Sequence, residues 1–132
     1  MPCRHSYLRI LQLSALMCFA STSVHAMTCT EFTRLGPSAA TVKQVLDAPA
    51  SEPQVVAFRK VIADHAANVS FNRFSGRSKA LALVRKNDQL VMFVRESLGM
   101  TRVFCFEKPG ANMRDVATEQ FNYLLDAVAK KL

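Results

Sequence analysis

The first 26 residues constrain the fold more than any other stretch, because they have the pattern of a leader that is removed before the protein folds. Arg4 and Arg9 provide a positively charged start, and an apolar run of 11 residues follows over positions 10–20. Small and polar residues then lead to Ala26. We therefore predict a signal peptide over residues 1–26, cleavage near Ala26, and one domain over residues 27–132.

Two other outcomes for this leader remain open. Cys18 follows apolar residues, so a lipid-anchored product is one alternative, although Met17 stands where a small residue normally precedes a lipidated cysteine. The other is a leader that stays on the chain, as an anchor or as a buried helix. The apolar run is shorter than the roughly 20 residues that a bilayer requires, which argues against a permanent anchor. After cleavage, the mature protein is expected in the periplasm or as a secreted protein.

The cysteines support an oxidising compartment. Cys3 and Cys18 leave with the leader, whereas Cys29 and Cys105 remain and predict a disulfide. This bond would close a loop across most of the domain and contribute roughly 4–5 kcal/mol to stability. A redox or metal site is the alternative, but the pair is 76 positions apart, without a CxxC motif or nearby histidines. We predict no metal and no cofactor.

Helical periodicity predicts three helices. The first covers residues 38–48, and the second begins at 51–53 with Ser51 as its cap and runs to about residue 68. Asn112 can cap a long third helix that continues to the C terminus. The opening segment, residues 28–36, is expected to be half-extended.

Four short stretches with an alternating pattern predict strands between the second and third helices. They cover residues 69–74, 80–85, 90–95 and 102–106, with reversals at 75–78, 87–88 and 97–99. We therefore predict an α+β domain, a four-stranded antiparallel meander sheet packed with two N-terminal helices and one long C-terminal helix. The strands carry apolar residues at both alternating positions, so either helices cover both faces, or a partner or a second copy buries one of them.

Positive charge is concentrated in the predicted sheet and its loops. Residues 69–108 contain eight Lys and Arg against three Asp and Glu, whereas residues 27–68 and 109–132 are balanced. Alternation along each strand places arginines and aromatic rings on one face. The residues of this candidate binding face are Phe71, Arg73, Arg85, Phe93, Arg95, Arg102 and Phe104. The alternative is that these arginines are solvated gatekeepers at strand ends that prevent aggregation.

The mature chain offers little for catalysis. Its one histidine, His65, lies on the apolar stripe of the second predicted helix, which favours a structural role. No nucleophile elbow or Ser-x-x-Lys spacing places Ser70, Ser75 or Ser78, and no ligand spacing indicates a metal. We predict that the protein is not an enzyme, and a small hydrolase is the minor alternative.

These patterns together predict a small exported non-catalytic binding protein. One interpretation is an inhibitor or immunity-type module that acts on another exported protein, which would be acidic because arginine binds carboxylates in a forked geometry. The alternative is an envelope accessory factor that contacts anionic lipid or glycan through the basic sheet. A homodimer through the sheet also matches the pattern. No base-stacking motif is present, so nucleic acid is not expected as a partner.

Overall fold

The computed structural model describes residues 27–36 and 49–132. Within these ranges five α-helices follow one another, and no strand is formed. They are α1 (Cys29–Arg34), α2 (Pro53–Phe71), α3 (Gly76–Lys86), α4 (Leu90–Glu107) and α5 (Met113–Ala129). The predicted α+β fold with a meander sheet is therefore wrong, and the described part of the chain is a helical bundle. The predicted leader and the predicted helix over 38–48 lie outside the described residues.

α2 begins at Pro53 but extends beyond its predicted end. Glu52, rather than Ser51, occupies the N-cap position, and no side chain caps the helix there. Val69 is buried at helical spacing from Ala66, so the helix continues to Phe71 and takes up the start of the predicted first strand. The remainder of that stretch, residues 72–74, belongs to the loop before α3.

The predicted second strand is the centre of α3. The Oγ of Ser75 caps this helix by accepting a hydrogen bond from the Ser78 N–H at 3.0 Å. Ala80, Leu81 and Val84 are buried, so burial recurs every three to four residues rather than every second one. The apolar residues at both strand parities are therefore two sides of one helical stripe.

The third and fourth predicted strands are the two ends of a single helix, α4. The reversal predicted at 97–99 is wrong, because these three residues lie on the buried face of the helix. Ser97 donates a hydrogen bond to the Val94 carbonyl at 2.9 Å, and Thr101 donates to the Ser97 carbonyl at 2.7 Å. Both hydroxyls are thus satisfied within the helix, which allows small polar residues to be buried.

The predicted turn at residues 87–88 does form, although it joins α3 to α4 rather than two strands. Asp88 has a φ of 55°, a left-handed conformation that aspartate tolerates better than most residues. The N–H of Gln89 then donates to the Val84 carbonyl at 2.9 Å, which closes the end of α3.

α5 is the element that the sequence predicts best. The Oδ1 of Asn112 caps it by accepting a hydrogen bond from the Arg114 N–H at 2.9 Å, and Asp115 lies in its first turn. Its buried side packs against α2, α3 and α4. The buried hydrophobic residues of α5 are Met113, Val116, Ala117, Phe121 and Leu125.

A disulfide joins Cys29 of α1 to Cys105 of α4, and both residues are buried. The predicted pairing is confirmed, but its predicted setting is wrong, because Cys105 lies in a helix and the N-terminal lead is helical over Cys29–Arg34. The N–H of Cys29 donates to the Ala111 carbonyl at 2.8 Å, and Thr28 forms an antiparallel bridge with Asn112. We call α1, the disulfide and the connection over residues 108–112 the disulfide end.

Phe32 ties α1 to the start of α2. Its ring centroid lies 6.5 Å from that of Phe58, and both side chains are fully buried. The buried side-chain amide of Gln54 donates to the Phe32 carbonyl at 3.2 Å. Gly36 lies directly against the Gln54 side chain, so that a Cβ at this position would overlap it.

Candidate functional site

The seven residues of the candidate binding face do not share one surface. Because the described residues contain no sheet, the predicted sheet face does not exist. Phe71 ends α2, Arg73 lies in the following loop, Arg85 lies on α3, and Phe93, Arg95, Arg102 and Phe104 lie on α4. The structure distributes them among the aromatic segment between α2 and α3, the interior of the bundle and the surface of α4.

Arg102 belongs to the interior, since only 4% of it is exposed. Its Cζ lies 5.7 Å from the ring centroid of Phe106. Burial lowers the pKa of the Arg102 guanidinium, and the negative charge of Glu52 opposes that shift. Arg102 is therefore placed to link α4 to the residue that precedes α2, and it is not presented to a partner.

The two predicted aromatic residues of α4 differ in burial. Phe93 is partly buried and packs against the hydrophobic core. Phe104 is 37% exposed and stands beside Val103 on the outer side of the helix. Phe93 therefore contributes to the core, whereas Phe104 lies at the surface.

Arg95 lines a cleft between the N-terminal halves of α2 and α4, and we call this the α2–α4 cleft. Its volume is about 230 Å³. The described residues that line it are Ala50, Val55, Arg59, Leu90, Val91, Val94, Arg95 and Leu98. Six of these eight are apolar, the other two are arginines, and none is acidic. The cleft therefore offers an apolar floor together with two guanidinium groups.

Exposed apolar surface extends from the α2–α4 cleft along the start of α4, from Val91 in the cleft lining to Met92 outside it. Val91 is 58% exposed and Met92 is 65% exposed. The guanidinium-bearing residues Arg59 and Arg95 are exposed as well. Sequence reasoning identified Arg95 but missed Arg59, because only the fold brings the second helix beside the fourth.

The loop between α2 and α3 carries two almost fully exposed phenylalanines. Phe71 is 91% exposed and Phe74 is 89% exposed, with the exposed Arg73 between them. We call residues 71–74 the aromatic loop. The Nη1 of Arg85 donates to the Ser70 Oγ at 3.2 Å, so the structure does bring Phe71, Arg73 and Arg85 into one region.

Hydrogen bonds hold the aromatic loop in place beside the C-terminal end of α5. The Asn72 carbonyl accepts from the Ser75 Oγ at 3.0 Å and from the Ser75 N–H at 3.1 Å. Arg77 donates two hydrogen bonds to Asp126, at 2.7 and 2.9 Å. A Cβ at Gly76 would lie 3.6 Å from the Cβ of Ala129. The two rings are thus held outward by an ordered turn.

The candidate catalytic residues have structural contacts. The Nε2 of His65 lies 2.8 Å from the Asn122 Oδ1, and its ring packs edge-on against Phe121 with centroids 6.2 Å apart. Since an amide oxygen only accepts, Nε2 is the donor of this bond between α2 and α5. Within residues 27–36 and 49–132, no group of three or more His, Cys, Asp or Glu is placed to hold a metal ion. The absence of catalysis stays a prediction.

Comparisons with protein-family models, with curated proteins and with solved structures found no match to this chain. Over the described residues, no helix combines the length and the hydropathy needed to cross a bilayer.

Proposed function

We propose that the protein is an exported, non-catalytic binding protein that acts on another exported protein, as an inhibitor or immunity-type module. An acidic segment of that partner occupies the α2–α4 cleft. The composition of the cleft carries this proposal, because its described lining combines six apolar residues with two arginines and no acid. The disulfide supports the export part of the proposal, since such bonds persist in oxidising compartments.

The size of the α2–α4 cleft supports a protein partner. Its volume of about 230 Å³ is below the roughly 300–1,000 Å³ that is typical of small-molecule and cofactor pockets. A cleft of this size suits one apolar side chain inserted from a partner. Such single anchors, with arginine and apolar surface around them, dominate the binding energy of many protein interfaces.

The positive charge of the α2–α4 cleft favours an acidic partner. A guanidinium can bind a carboxylate through two parallel N–H···O bonds, and Arg59 and Arg95 are both exposed for such contacts. We therefore infer a partner segment in which an apolar residue stands next to aspartate or glutamate. Charge complementarity of this kind also raises the rate of association at low ionic strength.

The test places a photo-crosslinking amino acid at position 91, at the cleft, and a matched one at the exposed position 103 on the same helix. Both proteins are exposed to periplasmic extract, and mass spectrometry maps the crosslinked segments. We expect the probe at position 91 to form an adduct with an acidic, apolar segment of another exported protein. The probe at position 103 should form no adduct with that protein. An adduct confined to residues 38–48 of the chain itself, or to a second copy, would assign the cleft a different occupant and overturn the proposal.

The second arm of the test measures affinity for the crosslinked protein. The double substitution Arg59→Gln and Arg95→Gln should weaken binding by about ten-fold to a hundred-fold, because each charge-assisted pair is lost. Arg114→Gln is the matched control, since Arg114 is exposed on α5 and does not line the cleft. Equal affinities of the wild type, the double variant and the Arg114→Gln control would contradict the proposal.

A further inference from the structure

The aromatic loop lies within a segment of unusual composition. Residues 69–87 contain five cationic residues and no aspartate or glutamate. The cations are Arg73, Arg77, Lys79, Arg85 and Lys86. Phe71 and Phe74, in the same segment, are 91% and 89% exposed. Large rings are rarely left this free in water unless they meet another surface.

The C-terminal end of α5 adds to the same region of the molecule. Contacts of Gly76 with Ala129 and of Arg77 with Asp126 place the start of α3 beside this end. Lys130 and Lys131 follow the helix and are exposed, and Leu132 is 64% exposed. The carboxylate of Asp126 pairs with Arg77 and also interacts with Lys130, so it offsets part of the positive charge of this region and leaves the other cations in excess.

We propose that this end of the bundle docks on an anionic membrane surface. Phe71 and Phe74 enter the boundary between headgroups and acyl chains, while Arg73, Lys130 and Lys131 bind lipid phosphates. Aromatic rings partition to this boundary, and cations near an anionic leaflet add to the binding. The proposal uses residues that do not line the α2–α4 cleft, so the two surfaces can be tested separately.

The shape of the aromatic loop favours a membrane over a protein partner. In protein interfaces, aromatic anchors lie within a packed patch and enter a matching pocket of the partner. Here the two rings stand almost free at a turn, and cationic residues rather than apolar ones follow them in the chain. A bilayer accepts two protruding rings without a preformed pocket. The combination of apolar insertion and basic charge supplies the two signals that stable peripheral attachment requires.

The absence of tryptophan from the chain allows a clean measurement of insertion. Phe74→Trp introduces a single emitter into the aromatic loop, and Gly110→Trp introduces one in the exposed connection before α5, where a Cβ meets nothing within 4 Å. The two positions lie towards opposite ends of α5, a helix of 17 residues and therefore about 25 Å long.

The probe is a phosphatidylcholine vesicle with or without an equal share of phosphatidylglycerol. We expect the emission of the Phe74→Trp protein to shift to shorter wavelength, and to be quenched by brominated acyl chains, on the anionic vesicles alone. Emission from the Gly110→Trp protein should not change. High salt should weaken binding, because the Debye length falls from about 8 Å at 0.15 M to about 3 Å at 1 M.

Substitutions then separate the apolar and the charged contributions. Phe71→Ser and Phe74→Ser should each weaken vesicle binding about ten-fold or more, through lost apolar burial. Arg73→Gln, Lys130→Gln and Lys131→Gln should each weaken it about five-fold. Arg114→Gln and the Arg59→Gln/Arg95→Gln pair serve as controls and should not weaken it by as much. Circular dichroism checks the fold of every variant, and the charge variants keep the proposal testable if a serine variant unfolds.

Each contrary outcome overturns the proposal. Equal binding to neutral and anionic vesicles would contradict the proposed contacts between the cations and lipid phosphates. No binding to either vesicle would contradict membrane docking altogether. A spectral shift on addition of inorganic phosphate alone would assign the region to a soluble anion. A dimer of the wild-type protein that Phe71→Ser/Phe74→Ser dissociates would assign the aromatic loop to a second copy of the chain. Because the cleft pair is tested in parallel, failure here is distinct from failure of the proposed cleft.

Discussion

The two ends of the bundle differ in how firmly they are held together. At the disulfide end, a covalent bond joins α1 to α4, and hydrogen bonds from Cys29 and Thr30 to the carbonyls of Ala111 and Pro109 hold α1 against the connection between α4 and α5. Phe32 is fully buried there. At the aromatic loop, the rings of Phe71 and Phe74 are exposed, and the adjoining start of α3 contacts α5 through the Arg77–Asp126 ion pair and the packing of Gly76 near Ala129.

This difference indicates where the molecule obtains stability and where it can accommodate recognition. A small domain of about 100 residues buries limited apolar surface, so a covalent bond at one end can contribute a large share of its stability. The aromatic loop then does not need to bury its two phenylalanines for the protein to fold. Variants at matched positions of the two ends test this division.

The largest expected effect is at the disulfide. Cys29→Ser/Cys105→Ser should lower the free energy of unfolding by roughly 4 kcal/mol, because the unfolded chain regains the entropy that the closed loop removes. Urea denaturation followed by circular dichroism measures this change. Phe71→Ser/Phe74→Ser is the comparison at the other end and should change stability by less than about 0.5 kcal/mol, since both rings are exposed. A large loss in the second variant would show that the aromatic loop is part of the core.

A buried and an exposed arginine should differ next. Arg102→Met should destabilise the protein by about 2 kcal/mol, because it removes a buried guanidinium whose charge faces Glu52. Arg73→Met, at an exposed position in the aromatic loop, should stay within about 0.5 kcal/mol of the wild type. Denaturation midpoints of the two variants check the difference. Equal midpoints would mean that burial of Arg102 carries no stabilising contact.

A pair of glycines sharpens the comparison further. Gly36→Ala should cost about 1–2 kcal/mol, because the added methyl group overlaps the buried Gln54 side chain. Gly76→Ala should be neutral or stabilising by about 0.5 kcal/mol, since its Cβ would make an ordinary contact with Ala129 and the unfolded chain would lose freedom. Thermal unfolding of both variants measures the contrast, and a destabilised Gly76→Ala would indicate tighter packing at α3 than the structure has.

The smallest expected effect concerns the ion pair beside the aromatic loop. Hydrogen bonds from Arg77 hold the pKa of Asp126 below its usual value of 3.8. A lowered pKa contributes stability at pH values above about 4, and this contribution is lost as the pH falls through the folded-state pKa. Asp126→Asn should therefore cost less than about 0.5 kcal/mol at pH 7, because both side chains are almost half exposed, at 46% and 44%.

The same variant provides its own control in acid. As the pH falls through the lowered folded-state pKa of Asp126, the free energies of unfolding of the wild type and of Asp126→Asn should converge, since the carboxyl group becomes protonated in both the folded and the unfolded state. A difference that persists unchanged in acid would mean that the substitution acts through something other than the charge of Asp126.

Local chemistry in the sequence was enough to predict several elements. The cap at Asn112 and the apolar stripe of α5 agree with the structure, as do the turn at residues 87–88 and the pairing of Cys29 with Cys105. Each of these depends on residues close together in the chain, or on the chemistry of two sulfur atoms. None of these predictions requires knowledge of how distant helices pack.

The strand prediction failed for an identifiable reason. Alternation along short apolar stretches favours strands, but burial in α3 and α4 follows a helical period, with Ala80, Leu81 and Val84 as the example. Apolar residues at both parities of a supposed strand were therefore the available signal for a helix. Serine and glycine at residues 97–99 resembled turn residues, although in α4 they are small side chains on a buried face.

The two candidate surfaces were predictable only in part. Phe71, Arg73 and Arg95 could be identified from charge and aromatic content, but Phe74 was assigned to a strand end and left out of the site. Arg59 is 36 positions from Arg95 in the chain and meets it only across the α2–α4 cleft. Partners that are brought together by packing carry no local signature.

The bond between Cys29 and Cys105 has a consequence for proteolysis. It closes a covalent ring that contains α2, the aromatic loop and α3, so a single protease cut at Arg73 or Phe74 would open the ring without releasing a fragment. The nicked protein would keep its mobility on a non-reducing gel and gain only one water in mass. Only after reduction would two pieces separate. This exposed turn can therefore be severed while every described helix stays attached to the rest.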